Sequence, residues 1–358
     1  MRFRARELFP VLLFVVAPPL FAGAHTWSGG TSGDWSVGSN WSLGVAPTNG
    51  ETNVSLVFPA GQGNMASMMN TLTGLNVVSI TFADVAYVVT GSAVNLNGSI
   101  AVTATTGVTA VSFGLPITLT GNGTFMGSRG LILDGVISGP FGVDLTATDP
   151  GTITLTKLNT YIGGTTIHGG TIYVNGTISS VLITSTSGNQ SYLRGSGTVG
   201  AISIGAGSEA KFVYPGGPTS RGILTCNGGI NFTDVAAGNS GFLANALGPA
   251  PGTGYDQLVV NGPVNLNSAG GYFIMSGYMP PAGATFAFIS NDAGDAITGQ
   301  FISQPEGYVF WAFGPTAQLS YHGGDGNDVV ATVLCPSDAG SPTVAAPVAA
   351  VVTQTTCA

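Results

Sequence analysis

The chain holds three histidines, His25, His168 and His322, and no two of them stand at metal-ligand spacing, so a zinc site has no framework here. Without a neighbouring imidazole the many Ser and Thr hydroxyls have no base to activate them, and nucleophilic acyl transfer has no residues to run on. Acid–base work on a polysaccharide would instead need carboxylates brought together, about 5–9.5 Å apart in a hydrolase. The closest such group along the chain is Asp134, Asp144 and Asp149. Asp134 precedes Gly135 and Asp149 precedes Pro150, both turn-making contexts. They read as corners, and no catalytic residue is assigned.

One stretch has the spacing of a cation site. Gly323-Gly324-Asp325-Gly326-Asn327-Asp328-Val329-Val330-Ala331 satisfies the calcium nonapeptide G-G-x-G-x-D-x-U-x at its fixed places. Glycines there let carbonyls turn inward while carboxylates complete an oxygen cage for a hard cation. Such cages share ligands between consecutive copies, and this chain has a single copy. The reading favoured is a corner held by Asp and Asn, with a calcium site at Asp325 and Asp328 as the alternative; no other cofactor is implied.

Aromatic residues are the remaining candidates. Trp27, Trp35 and Trp41 cluster near the amino end, interleaved with glycine corners. They suit either platforms for a sugar or a cap over the open end of a stacked coil, and their order, leading straight into the first strands, favours the cap. Of the cysteines, Cys335 and Cys357 could close a loop near the carboxyl end, leaving Cys226 buried or reactive. Asn-x-Ser/Thr occurs at Asn40, Asn53, Asn97, Asn122, Asn175, Asn189 and Asn231, which matters only in a cell that glycosylates exported chains.

The elements that carry these side chains are short strands between glycine corners. The organising stretch is Leu158 to Gly176, where Gly163-Gly164 and Gly169-Gly170 bracket Thr165–Ile167 and a second strand, Thr171–Val174, follows. Thr, Ile, Tyr and Val fit a pleated surface, and no helix-period stripe can be laid over them. The same grammar runs through Val77–Phe82, Val94–Gly98, Ile117–Leu119, Leu131–Leu133, Ile153–Thr156, Ile202–Ile204 and Asp256–Gly262. Such strands bury nothing alone, but stacked turns share one interior. The expected organisation is a signal peptide over 1–24, a cap and first rungs over 25–76, repeats over 77–233, closing rungs and a bulkier end unit over 234–334, and an extended tail over 335–358.

Composition agrees. Of 358 residues 56 are glycine and only 7% are charged, far below the usual share of about 25%, with a mean hydropathy of +0.39. Arg2, Arg4 and Arg6, the apolar run Leu8–Leu20 and the small residues Ala22-Gly23-Ala24 form an export signal, with the mature chain expected to begin near His25. Beyond it five basic residues face 15 acidic ones, which leaves no track for phosphates and disfavours both nucleic acid and anionic membranes. No segment reaches the roughly 20 apolar residues of a transmembrane helix.

The run Asn159-Thr160-Tyr161-Ile162-Gly163-Gly164-Thr165-Thr166-Ile167-His168-Gly169-Gly170-Thr171-Ile172 resembles the autotransporter-associated β-strand repeat, N-T-Y-[ST]-G-G-T-T-[IL]-x-x-G-T-L, departing from it at Ile162 and Ile172. The opening Trp27-x-Gly29-Gly30 … Asp34-Trp35 … Asn40-Trp41 is similar to that of exported proteins carrying the repeat, as is the closing stretch from Thr285 to Val329. The resemblance implies an all-β fold, a right-handed single-stranded parallel β-helix (solenoid) with an aromatic N-terminal cap and a β-rich closing unit. It implies a passenger-like protein of a Gram-negative bacterium, serving adhesion, surface coating or matrix. It brings no catalytic residues, and no room for a membrane barrel follows Val330. The expected role is a non-enzymatic structural or adhesive solenoid, extracellular or at the cell surface, touching polysaccharide, other surface proteins or its own copies. The alternatives are a glycan-binding module using exposed aromatics such as Trp35 or Trp41 and, less favoured, a polysaccharide-degrading β-helix enzyme.

Overall fold

The computed structural model describes residues 23–336, apart from 233–239 and the single positions 268, 276 and 293. The expected signal peptide up to residue 22, the expected tail from residue 337 and Cys357 lie outside the described residues. Alternation of apolar with Thr, Ser and Asn side chains makes each short run a half-buried strand. The run one turn later lies beside it in parallel, so that the described chain coils into a β-solenoid. On one face Thr152 pairs with Thr171, Thr171 with Tyr192 and Tyr192 with Phe212, steps of about one turn each.

Parallel register stacks like on like. One interior row runs Leu131, Ile153, Ile172, Leu193, Val213 and Phe242, all fully buried. A facing row runs Ile80, Ile100, Phe125, Leu145, Ile167 and Ile183, buried to the same degree. Fully burying one such side chain is worth about 1.5–3 kcal/mol, and no strand achieves this without its neighbours. Stacking also aligns amides: Asn95 Nδ2 donates to Asn76 Oδ1 at 3.1 Å, Asn261 to Asn227 at 2.7 Å and Asn265 to Asn231 at 2.9 Å. A chain with few charges satisfies part of its polar surface this way.

The organising stretch forms one continuous strand, Thr165–Val174, which serves two faces. Thr165–Ile167 pairs with Val181–Ile183, and Gly170–Tyr173 pairs with Ser191–Arg194. Gly170, at φ +78°, turns the corner between them. Within residues 60–76, in the span expected to hold the cap and first rungs, lies a strand, Met68–Asn70, which pairs with Val88–Gly91. Burial divides the methionines there: Met68 is buried and Met69 exposed.

Both ends of the stack are closed. At the amino end Trp27, Trp35, Trp41 and Phe58 are all buried in one aromatic cluster. Trp27 meets Trp41 edge-on at 5.1 Å, and Phe58 stacks on Phe82 at 4.9 Å. The indole N–H of Trp41 donates to the Trp35 carbonyl at 2.8 Å, and that of Trp27 to the Gly63 carbonyl at 3.1 Å. At the other end Thr285–Asn291 continues the parallel stacking on Gln257–Asn261, but its far side pairs antiparallel with Asp328–Cys335. Thr316–Gly323 and Val309–Trp311 extend that mixed sheet. Reversing the strand direction ends the coil.

The run Gly248-Pro249-Ala250-Pro251-Gly252 makes an excursion from the coil: Ala246 and Tyr255 bridge antiparallel across its base, and Gln257 at once rejoins the sheet beside Ile223. A buried ion pair anchors it. Asp256 accepts from Arg221 Nη1 at 3.0 Å, from the Asn245 amide at 2.9 Å and from the Gly222 amide at 3.1 Å. Burial pushes the Asp256 carboxyl up to about 7, against the pull of those donors.

Candidate functional site

The carboxylates that the sequence placed nearest one another have different partners in the solenoid. Asp134 is held by the Thr156 hydroxyl and by Lys157 Nζ at 3.0 Å, contacts that keep its carboxyl below the ordinary range. Asp144 contacts His168 Nε2 at 3.1 Å, and Asp149 lines a separate surface cleft. Among the described residues no three His, Cys, Asp or Glu side chains converge as a metal site. His25, buried at the amino end, contacts Glu51 at 2.9 Å and the Val45 carbonyl at 3.2 Å. Cys226 is buried and donates to the carbonyls of Gly200 and Gly229, and burial pushes its thiol up to about 11.

The nonapeptide forms the turn of an antiparallel hairpin between Thr316–Gly323 and Asp328–Cys335. Gly324 and Gly326 take positive φ there. Asp328 is buried, and its Oδ1 accepts the Asn291 amide at 2.8 Å. Burial raises its carboxyl, and the neighbouring Asp325 adds to that. Asn327 Nδ2 donates to the carbonyls of Asp292 and Asp295 at 2.6 and 2.8 Å, tying the hairpin turn to the loop after Thr285–Asn291. Asp325 stands exposed at the tip.

Trp35 and Trp41 offer no platform, since both are inside the cap. The outward aromatics lie elsewhere, on the face built by the strands that follow Gly170. Tyr192 and Phe212, register partners on adjacent rungs, stack at 5.3 Å and 17°. Tyr272 meets Phe212 edge-on at 5.7 Å. Arg194 sets its guanidinium 4.6 Å from the rings of both Tyr192 and Tyr214. Gly241 and Gly270 make room for this row, because a Cβ at either would meet the Tyr272 ring at 2.8 Å. The row leads to a groove of about 280 Å3 whose lining includes Tyr272, Ile274, Trp311 and Phe313. Trp311 is 50% and Phe313 54% exposed. An aromatic row of this kind offers flat, rigid contact area with polar tips.

Sequence reasoning missed this row because its members are about a turn apart. The available signal was their position: Tyr192 and Arg194 flank the apolar Leu193, so alternation alone sends both outward. At the opposite end of the row lies a cleft of about 410 Å3, bordered by Asp149, Asn189, Gln190, Tyr192 and Glu209. Compared with models of protein families, with curated proteins and with solved structures, the chain matches none.

Proposed function

We propose that the chain is a non-enzymatic adhesive or structural solenoid that works outside the cell, of the kind carrying autotransporter-associated β-strand repeats. The observation that carries this reading is the outward row Tyr192, Phe212 and Tyr272, continued by Trp311 and Phe313. A surface of this kind acts through many modest contacts spread along its length. It needs no converging acids, and Asp134, Asp144 and Asp149 each have separate surroundings. The low charge suits contact with polymers and surfaces better than with a charged small molecule.

The test is to express the full chain in a Gram-negative host, locate it by protease shaving of intact cells, and measure retention of those cells on a surface under flow. Expected is a protease-accessible or released protein that raises retention. Confinement to the periplasm with no gain in retention would reject the reading, as would release of reducing ends from polysaccharide by the purified chain.

A further inference from the structure

On the face that carries the aromatic row, the outward positions change size abruptly. Ala110, Gly130, Thr152 and Thr171 are register neighbours on four successive rungs, and the next partner in the series is Tyr192. Four small side chains in line make a trough, and the Tyr192 ring closes its end. Four rung steps of about 4.8 Å give a length of about 19 Å. Two clefts occupy this trough. One, of about 660 Å3, lies over Ala110, Gly130 and Thr152, and the other, of about 410 Å3, over Thr171 and against Tyr192. They meet at residues 149–152, where Asp149 and Gly151 line one and Pro150 and Thr152 the other.

The end wall is held in place before any ligand arrives. Phe212 stacks on the far side of Tyr192, the Arg194 guanidinium sits 4.6 Å from its ring, and its hydroxyl donates to Gln190 Oε1 at 2.6 Å. Glu209 Oε1 accepts the Gly188 amide at 2.9 Å, and Asn189 Nδ2 donates to the Ala147 carbonyl at 2.8 Å. The wall therefore combines a fixed aromatic side chain, a carboxylate and side-chain amides at one end of a linear trough.

We propose that this trough binds a segment of neutral polysaccharide lying along the solenoid axis, its last sugar packed against the Tyr192 side chain and hydrogen-bonded by Gln190 and Glu209. This rests on the adhesive reading above and names the ligand class. A sugar ring presents C–H groups to an aromatic side chain and donates its hydroxyls to carboxylate and amide oxygens, which are the acceptors found here. Competing polymers fit less well. An extended peptide needs unpaired backbone groups to pair with, and the trough floor is a sheet whose strands pair on both sides. Phosphate or uronate polymers would meet Asp149 and Glu209, two carboxylates against the single cation Arg129 at the border of the larger cleft.

The experiment screens the mature chain against arrayed neutral oligosaccharides (β-1,3- and β-1,4-glucan and mannan hexamers) and anionic ones, and then measures the neutral hit by calorimetry. Tyr192→Ala removes the end wall, and Thr152→Tyr fills the trough from an outward position that alternates with the buried Ile153. Expected is binding of a neutral hexamer that persists at high salt and weakens about tenfold or more in each variant. No neutral ligand on the array, preference for anionic glycans, or equal binding by Thr152→Tyr with an unchanged melting curve would overturn the proposal. Should Tyr192→Ala fail to fold, Thr152→Tyr decides alone. Cell retention that survives Thr152→Tyr while glycan binding was never present rejects the trough and keeps the adhesive role. Cleavage of a trough-bound hexamer supports the trough and rejects the non-enzymatic role.

Discussion

At the scale of single residues, the paired glycines of the organising stretch are not equivalent. A Cβ on Gly163 would stand 2.3 Å from the Gly142 amide nitrogen and 2.6 Å from its Cα, backbone atoms of the preceding turn that cannot step aside. A Cβ on Gly164 would have its nearest neighbour, the Ser180 carbonyl oxygen, at 4.0 Å. Gly163→Ala should therefore cost about 1–3 kcal/mol through overpacking, while Gly164→Ala stays within about 0.5 kcal/mol of the parent. Urea denaturation of the two variants side by side checks this, and equal destabilisation would show that the close approach of turns is not what Gly163 provides. The repeat motif marks both positions as glycine, and only the neighbouring turn tells them apart.

At the scale of elements, the direction of the strands changes what the nonapeptide can do. In a parallel coil, one turn's glycine corner lies over the next and the two can share a cation. Here the segment turns between antiparallel strands, and Asn327 and Asp328 fasten that turn to the loop after Asn291 by hydrogen bonds. A corner held by these side chains predicts an unchanged melting temperature in millimolar calcium. A rise that saturates with calcium, and is lost in Asp325→Asn together with Asp328→Asn, would instead assign a metal site to those two carboxylates. The aromatic row is equally a property of elements, because Tyr192 and Phe212 become neighbours through pairing of their strands.

At the scale of the molecule, a solenoid is held together by contacts between successive turns, and its two ends are where that scheme fails. The amino end is covered by Trp27, Trp35 and Trp41, the other by the antiparallel sheet. Trp35→Ala should cost about 3–5 kcal/mol and expose the first rungs, seen as a lower melting temperature and earlier proteolysis near residue 27. A variant with parental stability that lost only glycan binding would assign Trp35 to a binding site and contradict its burial. Much of this architecture was legible in the amino-acid sequence. Alternation such as Thr165-Thr166-Ile167 determines which side chains face inward, glycine corners such as Gly169-Gly170 determine where the chain turns, and the shortage of Lys and Arg excludes a phosphate track. The tertiary structure alone decided which outward residues meet. Tyr192 and Phe212 are 20 residues apart, and whether they stack depends on how many residues each corner consumes before the next strand starts. Local propensity does not encode that count; the packing of one turn on the next sets it. The same packing gathered Ala110, Gly130, Thr152 and Thr171 into a trough and drew Asp134, Asp144 and Asp149 into separate surroundings.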